Sequence, residues 1–186
     1  MKELWLLYED GDYAVNRAYA QMMQERGHTY GFDVQAVLLS ELALGMDAQG
    51  LPFCLCRGVS SLPHAVLSRQ RSSLVSEHFE RMGIPVFNDS FVCAICNDKR
   101  ATYQFLEGLP MPRTVFLLPS QMQPPAGTRY PVILKPACSH GGDRVTLVED
   151  EAQWRKAAAS IPDANIARRS AAVKVRSYRT SATVIL

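Results

Sequence analysis

Apolar residues along this chain gather into short runs and helical stripes separated by turn residues. Leu4–Tyr8 is a compact apolar run of strand length. In Tyr13–Arg26, residues Val15, Ala18, Tyr19, Met22 and Met23 recur at helical spacing, with Asp12 placed as an N-cap and Gly27 as a terminating glycine. The spacing therefore predicts a helix whose stripe faces the core. Val34–Leu39 reads as a second strand, followed by a short Ser40-capped segment and a third strand at Phe53–Cys56. Ser72–Met82 is predicted as a second long helix, with Leu74, Val75, Phe79 and Met82 inward and Gly83 ending it. Ile84–Phe87 is a short fourth strand. Strands alternating with helices across short turns imply an α/β fold with a parallel, wound sheet. No G-x-G-x-x-G follows Tyr8, so nothing supports a dinucleotide-binding unit.

The pattern changes in the second half. Asn88-Asp89-Ser90 is a turn, Phe91–Cys96 is short and apolar, and Asn97 is placed to cap a helix Asp98–Glu107 closed by Gly108. Pro110 and Pro112 mark an extended crossover into a strand Thr114–Leu118, and Gln121–Arg129 is a loop. Pro131–Val148 then reads as strand, loop, strand. Val132–Leu134 runs into Lys135-Pro136, the small-residue loop Ala137–Gly142 follows, and Val145–Val148 is again apolar. Adjacent glycines let backbone N–H groups approach an anion, and Lys135 places a point charge at the root of the loop. On residues alone, a phosphate-covering loop and an ordinary hairpin turn with an exposed lysine fit equally well. Glu149–Ala159 is an acid-fronted helix that favours its own dipole, and Asn165-Ile166 opens a further strand.

Composition adds limits. The 186 residues suffice for one large domain or two small ones, and 47% apolar with 20% charged residues is the balance of a globular chain. Leu4–Leu7 is too short for a signal or membrane segment and meets Glu9, Asp10 and Asp12 at once. A cytoplasmic location with five reduced cysteines is the resulting expectation. Charge is uneven. From Ile166 onward the chain carries Arg168, Arg169, Lys174, Arg176 and Arg179 with no acid. That basic stretch lacks the aromatic interleaving of a nucleic-acid reader, which argues against nucleic acid as a partner. Cys54-x-Cys56 and Cys93-x-x-Cys96 sit in apolar runs without zinc-knuckle turn residues, so they read as core cysteines rather than a metal site.

Taken in order, Phe87-Asn88-Asp89-Ser90, Asn97-Asp98-Lys99, Pro112-Arg113-Thr114, Val132–Pro136 and His140-Gly141-Gly142 resemble the ATP-grasp ligases. The branch resembled includes the ribosomal-protein glutamate ligases (RimK-like). No one of these motifs is specific, but their order and spacing together are. The resemblance implies a wound, Rossmann-like pre-ATP-grasp domain over residues 1–90. It implies the first, nucleotide-binding part of an α+β ATP-grasp domain over 91–166, with a basic tail at 167–186. It further implies that Lys99 and Lys135 contact the phosphates of ATP from either side, beneath a lid formed by Ser139, His140, Gly141 and Gly142. Family chemistry activates a carboxylate as an acyl phosphate, which an amine attacks, with Mg²⁺ between the phosphates. Arg57 and Arg71 are candidates for the substrate carboxylate, although solvated surface arginines are the simpler reading.

Two departures from the family pattern stand out. Arg144 and Ser139 stand near positions where the family loop commonly has glycine. More seriously, no Asp or Glu follows Asp163, so the acidic Mg²⁺ ligands expected beyond the hairpin are missing. The expectation is a truncated ATP-grasp ligase that binds nucleotide but is inactive as this chain. The alternatives are a non-catalytic α/β scaffold or binding module, and one half of a split ligase completed by a separate C-terminal half. The acid and amine substrates are not readable from the residues.

Overall fold

The computed structural model describes residues 1–117, 122–139, 144–160 and 183–185. Contacts divide the chain into two compact units, residues 1–94 and 95–186. The first contains β1 (Lys2–Tyr8), α1 (Asp10–Thr29), β2 (Phe32–Leu38), β3 (Leu42–Met46), β4 (Pro52–Cys56), β5 (Ala65–Ser68), α2 (Ser73–Arg81) and β6 (Val86–Phe87). Helix α3 (Ser90–Cys96) spans the division. The second holds α4 (Lys99–Phe105), β7 (Thr114–Phe116), β8 (Val132–Leu134), β9 (Thr146–Val148), α5 (Glu151–Ala159) and β10 (Thr183–Ile185).

The expected parallel sheet is present, in the order β2-β1-β5-β6. Alternation along β1 divides the core of this unit in two. Trp5 and Leu7 face α2, where Trp5 meets Phe79 edge-on with centroids 6.1 Å apart. Leu6 and Tyr8 face the other way, into a cluster with Ala20 and Val34. Each such buried large side chain contributes about 1.5–3 kcal/mol over leaving it in water.

The membership of that sheet departs from the pattern reading. Phe53–Cys56 does not join it; β4 pairs antiparallel with β3 in a separate hairpin. The third parallel strand is β5, lying between Arg57 and Ser72, where four residues flanked by polar ones gave too little periodicity to read. Phe91–Cys96 folds as helix, with Cys93 buried and Cys96 exposed, so Cys96 is not the core residue that the apolar run suggested.

Two helical stripes also shift. Val15 is 82% exposed, and Tyr19 and Met22 are exposed as well, whereas Tyr13, Ala20 and Met23 pack on the sheet. The helical dihedrals break at Asn16 (φ −111°, ψ 15°), which changes the phase of the stripe along α1. Gly27 does not end the helix. A Cβ there would lie 2.4 Å from Val34 Cγ2, so the glycine permits close approach of α1 to β2, and the chain turns at Gly31 instead. On α2, Leu74 is 73% exposed, while Ser76 and Phe79 are buried.

In the second unit, β8 and β9 form the expected antiparallel hairpin, with Val132 opposite Val148 and Leu134 opposite Thr146. Val132, Leu134 and Val148 pack with Leu117, Trp154 and Ala158. The Trp154 indole N–H donates to the Met122 carbonyl at 2.8 Å, which satisfies the one polar atom of that buried ring. Asp150 caps α5 by accepting from the Gln153 N–H. Of the basic tail, Thr183–Ile185 forms β10, parallel to β7; residues 167–182 and 186, and the strand expected at Asn165-Ile166, lie outside the described residues. No helix among the described residues is long and apolar enough to cross a membrane.

Candidate functional site

Polar chemistry in the second unit converges where α4 begins. Asp98, not Asn97, is the N-cap, and its carboxylate accepts from the Arg100 N–H at 2.8 Å. The Arg100 guanidinium closes on the same carboxylate in a fork. Burial alone would raise the Asp98 pKa, but these bonds outweigh it and hold the carboxyl below its usual range. This clamp fixes the first turn of α4 and the origin of the neighbouring Lys99 side chain.

Lys99 reaches the root of the β8–β9 loop. Its backbone N–H donates to the Ala137 carbonyl at 3.1 Å, and Nζ donates to the carbonyls of Ala137 and Ser139 and to Ser139 Oγ. Ala137 beneath it is fully buried, against Tyr103 and Cys138. Burial lowers the Lys99 pKa, and the like charge of Lys135 adds to the fall against the opposing effects of Cys138 and Asp98. Lys99, Lys135, Cys138 and Ser139 therefore share one electropositive site. His140, Gly141 and Gly142 lie outside the described residues. Arg144, just beyond them, has φ 55°, the left-handed region that glycine occupies without strain.

Alternation along the hairpin gives this site a second component. With Val132, Leu134 and Val148 turned inward, Ile133 and Leu147 fall on the opposite face, directly across from each other. Lys135 continues the outward phase of Ile133. Leu147 is exposed and Ile133 half-buried, so an open apolar strip leads up to the two lysines.

The two arginine candidates lie in the first unit and are already engaged by acids. Arg57 occupies the turn after β4 with φ 52°, followed by Gly58 at φ 78°. Its Nε and Nη2 donate to the two Glu41 oxygens, each at 3.0 Å, and that fork lowers the Glu41 pKa. Arg71 Nη1 lies 2.6 Å from Asp12 and 3.5 Å from Glu9. Among the described residues, no three His, Cys, Asp or Glu side chains converge as a metal site would require.

The Asp98–Arg100 clamp and the place of Cys138 beside Lys99 were not legible beforehand. An Asx cap followed by an arginine two residues on is a readable signal for the clamp. No sequence signal marks Cys138, because only the loop fold brings it to α4.

No protein-family model matches the chain, and no curated protein sequence matches it. Solved structures do share its fold. A RimK-domain ATP-grasp protein from Sphaerobacter thermophilus superposes with a TM-score of 0.62 at 22% identity, over 95% of this chain and 64% of that one. The VanG D-Ala:D-Ser ligase of Enterococcus faecalis gives 0.63 at 17% identity, covering 85% of this chain and 58% of its own. D-alanyl-alanine synthetase A of Vibrio cholerae gives 0.62 at 16% identity, over 85% and 55%. The chain spans less than two thirds of the length of each of these structures.

Proposed function

We propose, from a fold shared with ATP-grasp proteins, that this chain binds ATP on the outer face of the β8–β9 hairpin. The observation that carries the reading is the meeting of Lys99, Lys135 and Ser139 at the head of the Ile133–Leu147 strip. An apolar strip suits the faces of a nucleobase, and two adjacent lysines suit its phosphates. A lysine desolvated beside another cation gains more from an incoming polyanion than one in open water, because the anion relieves the repulsion between them. Ser139, and the residues His140, Gly141 and Gly142 after it, supply the loop that covers the phosphates in this reading.

ATP-dependent joining of a carboxylate to an amine is the chemistry that the fold suggests. On this reading the residues of the hairpin and of α4 supply the base- and phosphate-binding part of the site. The purified chain alone is expected not to turn over. Addition of Mg²⁺ and candidate acids and amines, with phosphate release as readout, checks this; turnover by the isolated chain overturns it.

Calorimetric titration with ATP tests the site. Lys135→Ala removes one charge-assisted contact of about 1.5–3 kcal/mol, a loss of roughly tenfold or more in affinity. Lys99→Met has at least that effect, because it also releases the loop carbonyls held by Nζ. Equal affinities in wild type and both variants would favour the non-catalytic scaffold.

A further inference from the structure

Helix α1 turns an apolar stripe away from its own sheet. Tyr13, Ala20 and Met23 pack inward, whereas Val15 (82% exposed), Met22 (45%) and Tyr19 (37%) stand outward, joined by the exposed Ala18. The stripe runs across the break at Asn16, with Val15 before it and Ala18, Tyr19 and Met22 after it. Exposed apolar residues scattered singly need no explanation, but a contiguous line of them along one helix marks a contact surface.

The charges at the two ends of α1 indicate what covers the stripe. Asp10 and Asp12 occupy the first turn, and Arg26 and His28 the last. Asp10 and His28 are eighteen residues apart, about five turns of 3.6 residues, and Asp12 and Arg26 are fourteen apart, about four turns. Each acid therefore lies on roughly the same side of the helix as the base at the other end. A two-fold axis at Tyr19 lays α1 antiparallel on the α1 of a second copy, so that each residue faces the one equally far beyond Tyr19. That one register opposes Asp10 to His28 and Asp12 to Arg26 at both ends of the contact, and it sets Val15 near Met22 of the other copy. No like charges meet in it: Glu9 falls opposite Thr29, Arg17 opposite Gln21, and Glu25 opposite Tyr13. The two helix dipoles run antiparallel, which favours the same arrangement.

We infer that the outer face of α1 is a self-association surface, on which a second copy of this chain docks its own α1 antiparallel about a two-fold axis at Tyr19. Val15 and Met22 of each copy bury the stripe, and the opposed end charges fix the register. Asp10 accepts from the Ser40 hydroxyl through Oδ1, which leaves Oδ2 for the other copy. The contact is small. A helix of twenty residues is about 30 Å long, and one face of it per copy buries less than the roughly 1,200–2,000 Å² of a stable complex. The dimer is therefore weak and fills as concentration rises. The surface lies wholly within the first unit and operates without nucleotide.

Sedimentation velocity of the full chain over about a hundredfold range of concentration tests the proposal. The wild type is expected to move from monomer towards dimer across that range. Val15→Glu places a charge in the buried stripe and raises the dissociation constant about tenfold or more. Because Val15 is 82% exposed in the single chain, the melting temperature of the dilute variant equals that of the wild type. Asp10→Lys and His28→Glu each weaken the dimer about threefold. Combined in one chain they restore the opposed pair with its signs exchanged, so the double variant associates more tightly than either single one. A wild type that stays monomeric throughout, a Val15→Glu variant that dimerises like the wild type, or a double variant no tighter than the single ones would overturn the assignment. No nucleotide is present, so the result is independent of whether ATP binds at Lys99 and Lys135.

Discussion

Individual side chains in this protein take their chemistry from burial and near neighbours. Burial pushes the Cys54 thiol up to about 11, so at pH 8 almost none of it is thiolate. Cys93 is also buried, and Cys96 is exposed. Limited alkylation at pH 8 is therefore expected to label Cys96 well before Cys54 or Cys93, as read by peptide mass spectrometry; equal labelling of all three in the folded protein would contradict the burial. Lys99 gives a pH signature of defined sign. Its folded pKa is lowered, so above that value and up to about the ordinary lysine value of 10.5 the unfolded chain binds more protons than the folded one. The resulting penalty is present at neutral pH and relieved as pH rises through the folded pKa. Wild type is thus expected to gain stability relative to Lys99→Met between pH 8 and 10.5, measured by urea denaturation. A flat difference across that range would show that Lys99 is not desolvated.

Secondary-structure elements are held by contacts with narrow tolerance. The sequence marked Gly27 as a helix stop, but its function is to let α1 lie against β2. Gly27→Ala drives a Cβ into Val34 Cγ2 at 2.4 Å, and such overpacking costs about 1–3 kcal/mol. Gly27→Ala combined with Val34→Ala, which opens that space, is expected to lose less than the two single changes summed. Exact additivity would argue against the contact. In the second unit, Trp154 anchors α5 on the hairpin, and Trp154→Ala is expected to cost about 3–5 kcal/mol. That loss loosens the surface that carries Lys135 and Ile133. At this scale, most strands and helices were legible in the pattern of apolar residues, because β1, β2, α2 and the β8–β9 hairpin each carry enough repeats of their period. β5 was not, because four residues are too few. The stripe on α1 was assigned to the wrong face because the break at Asn16 resets its phase.

At the scale of the whole molecule, the chain forms two units with separate cores, and each holds one of the two tryptophans: Trp5 in the first and Trp154 in the second. Trp154→Phe leaves Trp5 as the fluorescent reporter of the first unit, and Trp5→Phe leaves Trp154 to report the second. A ligand stabilises the unit that binds it. ATP is expected to shift the unfolding transition of the Trp154 reporter and to leave that of the Trp5 reporter in place. ATP protection of the Trp5 signal alone would place the nucleotide in the first unit instead. The α/β class, the hairpin with its lysine and the charge break near Ala167 are all written in local periodicity or composition. The acids that neutralise Arg57 and Arg71, the grip of Lys99 on the loop at Ala137 and Ser139, and the place of Tyr8 beside Arg69 come from the folded arrangement. Those contacts join residues far apart in the chain, where no local pattern records the partner and the packing of strands, helices and loops sets who meets whom.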